Sequence, residues 1–195
     1  MDLQRFAQTF GLPLAGSAVE LASLGLPPTI PLRVFADAGL RGVFGHGLLS
    51  IASSREQGGD LGRWARYLPA GGRLLASSAF GFLFATSGLD LWVIDPLVGQ
   101  VMESDIPIEE LPGLLCETDV RQDFLREALF RRWYELNQLD LVNHWLCPTP
   151  VPALGGSWTL VSLRSTDPGF LLSFTEQLFD PTGPHAVSVR RLSSV

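Results

Sequence analysis

A chain of 195 residues, 46% hydrophobic and 17% charged, has the composition of one well-buried globular domain, or of a main domain with a smaller one appended, and excludes a disordered or fibrous protein. Such a chain buries roughly 70% of its unfolded surface, so neither a metal nor a disulfide is needed to hold it together. The net charge is −6 and all 14 basic residues are arginine. Six of them (Arg33, Arg41, Arg55, Arg63, Arg66, Arg73) fall between positions 33 and 73, and positions 74 to 120 then carry no basic residue but eight acids. A one-signed stretch of this kind argues against direct nucleic-acid binding and fits either a basic partner or a solvated acidic face.

In chain order, Leu3, Phe6, Ala7 and Phe10 keep helical spacing, with Asp2 placed to cap the helix and Gly11 to end it. A Gly- and Pro-rich loop leads to a second helix over 28–40. Positions 43–52 read as a strand, 53–59 as a surface loop, and Asp60 as the cap of a short helix with Leu61, Trp64 and Leu68 on one face. In 79–86, Phe80, Phe82 and Phe84 alternate with Ala79, Gly81, Leu83 and Ala85, as a strand requires. Ser87-Gly88 turns into a strand over 89–95, and Pro96 to Gly99 turns again into 100–104. The result is an antiparallel meander, with 73–77 as a possible fourth strand.

Phe124, Leu125, Ala128, Leu129, Trp133 and Leu136 then hold a 3.6-residue period, and Glu127 is placed to pair with Arg131 one turn on. Positions 147–157 read as irregular. Positions 167–178 read as a closing helix, with Asp167 as N-cap and Pro168 at the first position. The expectation is an α+β fold: a central antiparallel or mixed sheet with helices packed on it, and a helical C-terminal part. The change of pattern near 118 divides the chain into a sheet-bearing 1–117, a helical 118–180 and a mobile tail over 181–195.

Cys116 and Cys147 are too few for a disulfide framework and read as buried free thiols in a reducing compartment. The N-terminus lacks the basic and apolar regions of a signal peptide. Positions 74–94 are nearly uncharged, as a membrane span would be, but Gly81, Ser87, Gly88, Asp90 and the β-type alternation fit strands instead. A soluble, cytoplasmic protein with no membrane contact is expected.

The motifs of catalysis are missing. There is no G-x-S-x-G elbow and no Walker loop, and Gly45-His46-Gly47 lacks dinucleotide spacing. His46 is open to a role as general base, although a turn residue entering a strand is the simpler reading. His144 and Cys147 are three apart without a second ligand pair at zinc spacing, so neither metal nor cofactor is expected. Glu109 and Glu110 would diverge by ~100° on a helix and do not make an acid–base pair; they belong to a short helix that Pro112 cuts off. The chain is read as a binder, not an enzyme.

The segment RGVFGHGLLSI (41–51) resembles the strand entry of the GAD-like domain. SSAFGFLFATSGLDLWVIDPLVGQV (77–101), with Ala79-Phe80-Gly81-Phe82-Leu83-Phe84 at its start, resembles that family's central sheet. LNQLDLVNHWLCPTPVPALGGSWTLVSL (136–163) resembles the C-terminal domain that accompanies it. Pro152-Ala153-Leu154-Gly155-Gly156 is a shortened form of the usual motif, and His144-Trp145-Leu146 stands where Tyr-Gly-Phe is the rule. The resemblance implies a GAD-like domain over 1–117 and an immunity-type C-terminal domain over 118–180. The family includes immunity proteins that bind and silence type VI secretion DNase effectors. It therefore implies a cytoplasmic antitoxin whose partner is a cognate, basic, nuclease-like toxin. An intracellular adaptor for some other protein is the alternative. Asp90, Glu103, Asp105, Glu109 and Glu110 are the expected partner-binding residues; Asp95, before a proline at a strand end, reads as a turn device.

Overall fold

Every position of Leu83–Ser87 is buried, and so are five of the six positions of Asp90–Asp95. Strands that bury both faces need a layer on each side, and the computed structural model shows where the layers come from. It describes residues 3–14, 42–51, 61–69, 72–179 and 187–192. Helix α1 (Leu3–Phe10) is followed by strands β1 (Gly42–Phe44), β2 (Leu49–Ile51), β3 (Arg73–Ser78), β4 (Leu83–Ser87), β5 (Asp90–Asp95) and β6 (Gln100–Pro107). Helices α2 (Leu111–Leu114), α3 (Thr118–Asp123) and α4 (Glu127–Asn137), strands β7 (Trp145–Pro148) and β8 (Leu163–Thr166), helix α5 (Pro168–Leu178) and strand β9 (Ser188–Leu192) complete it. The main sheet has seven strands in the order β1-β2-β3-β4-β5-β6-β9, and β7 and β8 form a separate hairpin. Neighbours in the main sheet are antiparallel except β6 and β9, which run parallel.

The register sorts the side chains into two cores. Ala76, Phe84, Val93 and Met102 form a row across four strands, and that face packs on Phe6 and Phe10 of α1, Leu111 of α2 and Phe130 and Trp133 of α4. Leu83, Ile94 and Val101 form a row on the opposite face, covered by Leu61 and Trp64, by Trp145 and Cys147 of β7, and by Leu171 and Phe179. Leu61, Trp64 and Leu68 are all buried, as the helical spacing predicts, although Gly62–Tyr67 is a 3-10 helix. Glycine matters at one contact here: a Cβ on Gly99, in the β5–β6 turn, would lie 2.4 Å from the Phe179 ring. The expected helix over 28–40, the loop over 53–59 and the cap at Asp60 lie outside the described residues.

Several expectations are corrected locally. The strand expected over 43–52 is two strands, because Gly45, His46 and Gly47 all take positive φ (56°, 61° and 106°) and fold the chain back so that Phe44 faces Leu49. The strand expected from Ala79 begins at Leu83. Ser78 Oγ accepts from the amides of Phe80 (3.2 Å) and Phe82 (3.1 Å), which closes a turn first. Pro112 does not cut a helix off at Glu109 and Glu110; it sits in the first turn of α2, where a missing N–H costs nothing. The helix expected from Phe124 is interrupted at Arg126, whose φ of 49° separates α3 from α4. Residues 145–148, at the edge of a segment read as irregular, are strand β7. Residues 188–192, read as tail, pair with β6 as β9. The second half of the chain therefore adds strands as well as helices. The closing helix is as read: Asp167 caps it by accepting from the Phe170 amide at 2.9 Å.

Among the described residues two carboxylates are buried inside this packing. Glu127 is 5% exposed and accepts from Arg131 (2.6 Å), the pairing expected along the helix, and also from Arg121 of α3 (2.7 Å). It ties α3 to α4 across the break at Arg126. Asp95 is 4% exposed, and its Oδ1 accepts from the Leu97 amide at 3.0 Å, the turn device expected of it. Burial pushes its carboxyl up to about 6, against the Leu97 amide and the Arg126 guanidinium, which favour the charged form. Arg126 lies 4.0 Å from the centre of the Trp158 ring and 5.8 Å from that of Phe82, which links the second half of the chain to the turn before β4.

Glu127→Gln is expected to lower stability in urea by about 3 kcal/mol, because two guanidinium groups lose a buried carboxylate, whereas Arg131→Gln at an exposed site costs less than about 1 kcal/mol. Asp95 has a raised folded pKa, so the folded state holds its proton more tightly, and this group's contribution to stability falls as pH rises from about 4 to about 6. Across that window the wild type is expected to lose about 3 kcal/mol relative to Asp95→Asn, measured by urea unfolding at each pH. Parallel pH profiles for the two proteins would contradict it.

Candidate functional site

Asp90 opens β5 and stands opposite Pro107 at the far end of β6. The next pair is Leu91 with Ser104, so β6 carries two extra residues there, Asp105 and Ile106. Ser104 is buried, and its Oγ accepts from the Ile106 amide at 3.2 Å, which holds the bulge closed. A bulge bends its strand and re-aims the residue it carries. Asp105 is exposed on it. The chain then enters the turn Ile108–Glu110, where Ile108 is buried in the first core and Glu109 and Glu110 face solvent. Four of the five expected residues, Asp90, Asp105, Glu109 and Glu110, are thus collected at one end of the sheet on exposed positions.

Glu103 is not among them. It lies mid-strand on the second face of the sheet, half-buried, beside Trp92 and opposite Arg191 of β9 in register. Arg73 also lies toward this end: it opens β3 opposite Thr86, which is opposite Leu91. At the tip of the β4–β5 hairpin, next to Asp90, Leu89 is 59% exposed. Sequence reasoning passed over Leu89. The available signal was an aliphatic residue in a two-residue hairpin loop, where Gly, Asn and Asp are the usual occupants. Leu89 thus sets a large exposed apolar side chain next in sequence to the exposed Asp90.

The opposite end of the sheet holds the Gly45–Gly47 turn. His46 stacks on Tyr134 of α4 at 4.2 Å between ring centres, and its Nδ1 lies 2.9 Å from Asp140 Oδ1. The carbonyl of His46 accepts from Leu141 N at 2.9 Å, and a Cβ on Gly47 would lie 2.5 Å from Leu141. The histidine thus pins the β1–β2 turn to the segment after α4. Leu136, Leu139 and Val142 of that segment are exposed.

His144 is exposed while Cys147 is buried, so the pair weighed as metal ligands is split between surface and core. Among the described residues no three His, Cys, Asp or Glu side chains come together as a metal site would need. Cys147 is pushed up to about 11 by burial, and Cys116 is raised by burial as well. Both thiols stay protonated at neutral pH and donate to the carbonyls of Pro148 and Pro112 respectively. Among the described residues no helix is long and apolar enough to cross a membrane.

No family model matches this chain, and no curated protein matches it. A crystal structure of Atu4351 from Agrobacterium tumefaciens is similar in fold, with a TM-score of 0.70, 17% sequence identity, and coverage of 98% of this chain and 93% of that one. At that identity the likeness shows a shared fold over nearly the whole of both chains.

Proposed function

We propose that this protein is an immunity protein that binds a cognate type VI secretion toxin, nuclease-like and basic, in the cytoplasm and covers its active surface. The observation that carries this reading is the gathering of Asp90, Asp105, Glu109 and Glu110 on one sheet end by the β5–β6 register and its bulge. A nuclease is basic where it grips phosphate, and a rigid array of carboxylates is steered to that surface and competes for it. The GAD-like resemblance of 41–51 and 77–101 supports the same reading, since that family includes such immunity proteins. Inhibition of this kind is stoichiometric: the protein supplies shape and charge, and no bond is made or broken.

A second reading has its own observation. Leu136, Leu139 and Val142, exposed in the segment that carries Asp140 at the other end of the sheet, favour an intracellular adaptor whose partner is held largely by apolar contact.

The two readings separate on a calorimetric titration against a catalytically inactive form of the protein encoded next to this one. The immunity reading expects one-to-one binding that weakens steeply with salt. Joint replacement of Asp90, Asp105, Glu109 and Glu110 by lysine is expected to weaken it about 100-fold and to flatten the salt dependence. Unchanged affinity and salt slope in that variant would remove the acidic end from the interface.

A further inference from the structure

The backbone turns left-handed at Arg126, between α3 and α4. The Nε of that arginine is shut off from water and has no acceptor. Its guanidinium lies over two rings, those of Trp158 and Phe82. Burial works against its charge, and the carboxylates of Asp95 and Asp123 work for it. Asp123 is exposed, so water weakens its field, whereas Asp95 is buried. Leu83 pairs with Ile94, which sets the next residues outward, Phe82 and Asp95, side by side across β4 and β5. A ring beneath Arg126 and the buried carboxyl that balances its charge are thus neighbours at the closing end of β5.

A cation drawn partly out of water is costly without an opposite charge, and aromatic faces offset only part of that cost. Asp95 is faced by the amides of Leu97 and Val98 in the β5–β6 turn and, as the charged group, by Arg126. Arg126 in place favours the ionised carboxylate. By linkage, a proton on Asp95 favours the conformation in which Arg126 has left. We propose that Asp95 and Arg126 form a proton-operated latch: ionised Asp95 holds the guanidinium against Trp158 and Phe82, and protonated Asp95 lets it swing out to solvent. Glu127 keeps its bonds to Arg121 and Arg131, so α3 and α4 stay tied to each other and loosen together from Phe82 and from the segment that carries Trp158. The fold as a whole gains stability from the proton while this one junction gives up a contact. With the Asp95 carboxyl raised to about 6, the changeover falls just below neutral pH. The latch is independent of which partner the acidic end meets.

The test is hydrogen exchange on the full chain at about pH 5 and about pH 7.5, each amide rate being divided by its unstructured-chain rate at that pH. Amides of 125–130 are expected to be at least about tenfold less protected at the lower pH, while those of 91–94 lose no protection. Asp95→Asn is expected to show the low protection of 125–130 at both pH values, and Arg126→Gln to abolish the difference between them. Equal protection of 125–130 at both pH values in the wild type, or a step that persists in Asp95→Asn, overturns the proposal. Carbon NMR of the Asp95 carboxyl reads the coupling itself. In Arg126→Gln that carboxyl is expected to titrate at a higher pH than in the wild type, because the cation that favours its charge is gone. An unchanged midpoint would mean that the two groups do not hold each other and would sink the latch.

Discussion

The burial of β4 and β5 on both faces is the constraint from which the rest of the structure follows. Leu83, Ala85 and Ile94 point one way, Phe84, Leu91 and Val93 the other, and all are at or near zero exposure. Each large side chain so buried is worth about 1.5–3 kcal/mol, but only if something dry lies against it. Two separate layers must therefore be recruited, and the chain draws them from distant parts of itself. Helix α1 and the α2–α4 region cover one face, and the 61–68 turn, the β7–β8 hairpin and α5 cover the other. Phe179 against Gly99, and Arg126 over Phe82, are contacts between the later half and the earlier sheet region.

A sheet covered on both faces leaves its ends as the exposed parts of its strands. At one end the hairpin tip at Leu89 and the bulge at Asp105 stand on strands that cannot shift without disturbing both cores, so the carboxylates are held by a rigid frame. Preorganised charge of this kind loses little entropy on binding. The other end is built on different chemistry, with a histidine in the left-handed region stacked on Tyr134 and three exposed aliphatic residues beyond it. The β6 edge is filled by β9. Charge and exposed apolar side chains thus occupy opposite ends of one scaffold.

Much of this was legible in the residues. The turns at Gly88 and Gly99 place the meander, because a glycine is a local signal, whereas the alternation from Phe80 overran the strand, whose start at Leu83 follows the turn closed by Ser78. Asp167-Pro168 marks the start of α5 for the same reason. What escaped was set by tertiary contact. The glycines beside His46 announce the turn in which it sits, though not that it splits the strand in two, and nothing in the composition around Arg126 announces a left-handed backbone that breaks the helical period. Strand β9 was missed because a short polar segment acquires strand character only from β6, far away in sequence. Of the acidic residues, Asp90, Asp105, Glu109 and Glu110 share an end because of a bulge that one serine side chain holds. Glu103, two residues from Asp105, falls elsewhere because the bulge begins after it.

The central claim, that the acidic sheet end is where the protein meets its partner, is tested most directly by hydrogen exchange on the complex with the inactivated neighbouring gene product. The account predicts new protection over 87–91 and 104–111, which carry Leu89, Asp90, Asp105, Glu109 and Glu110. Protection confined to 45–47 and 136–142, with the acidic end exchanging as in the free protein, would contradict it and place the contact at the apolar end around His46.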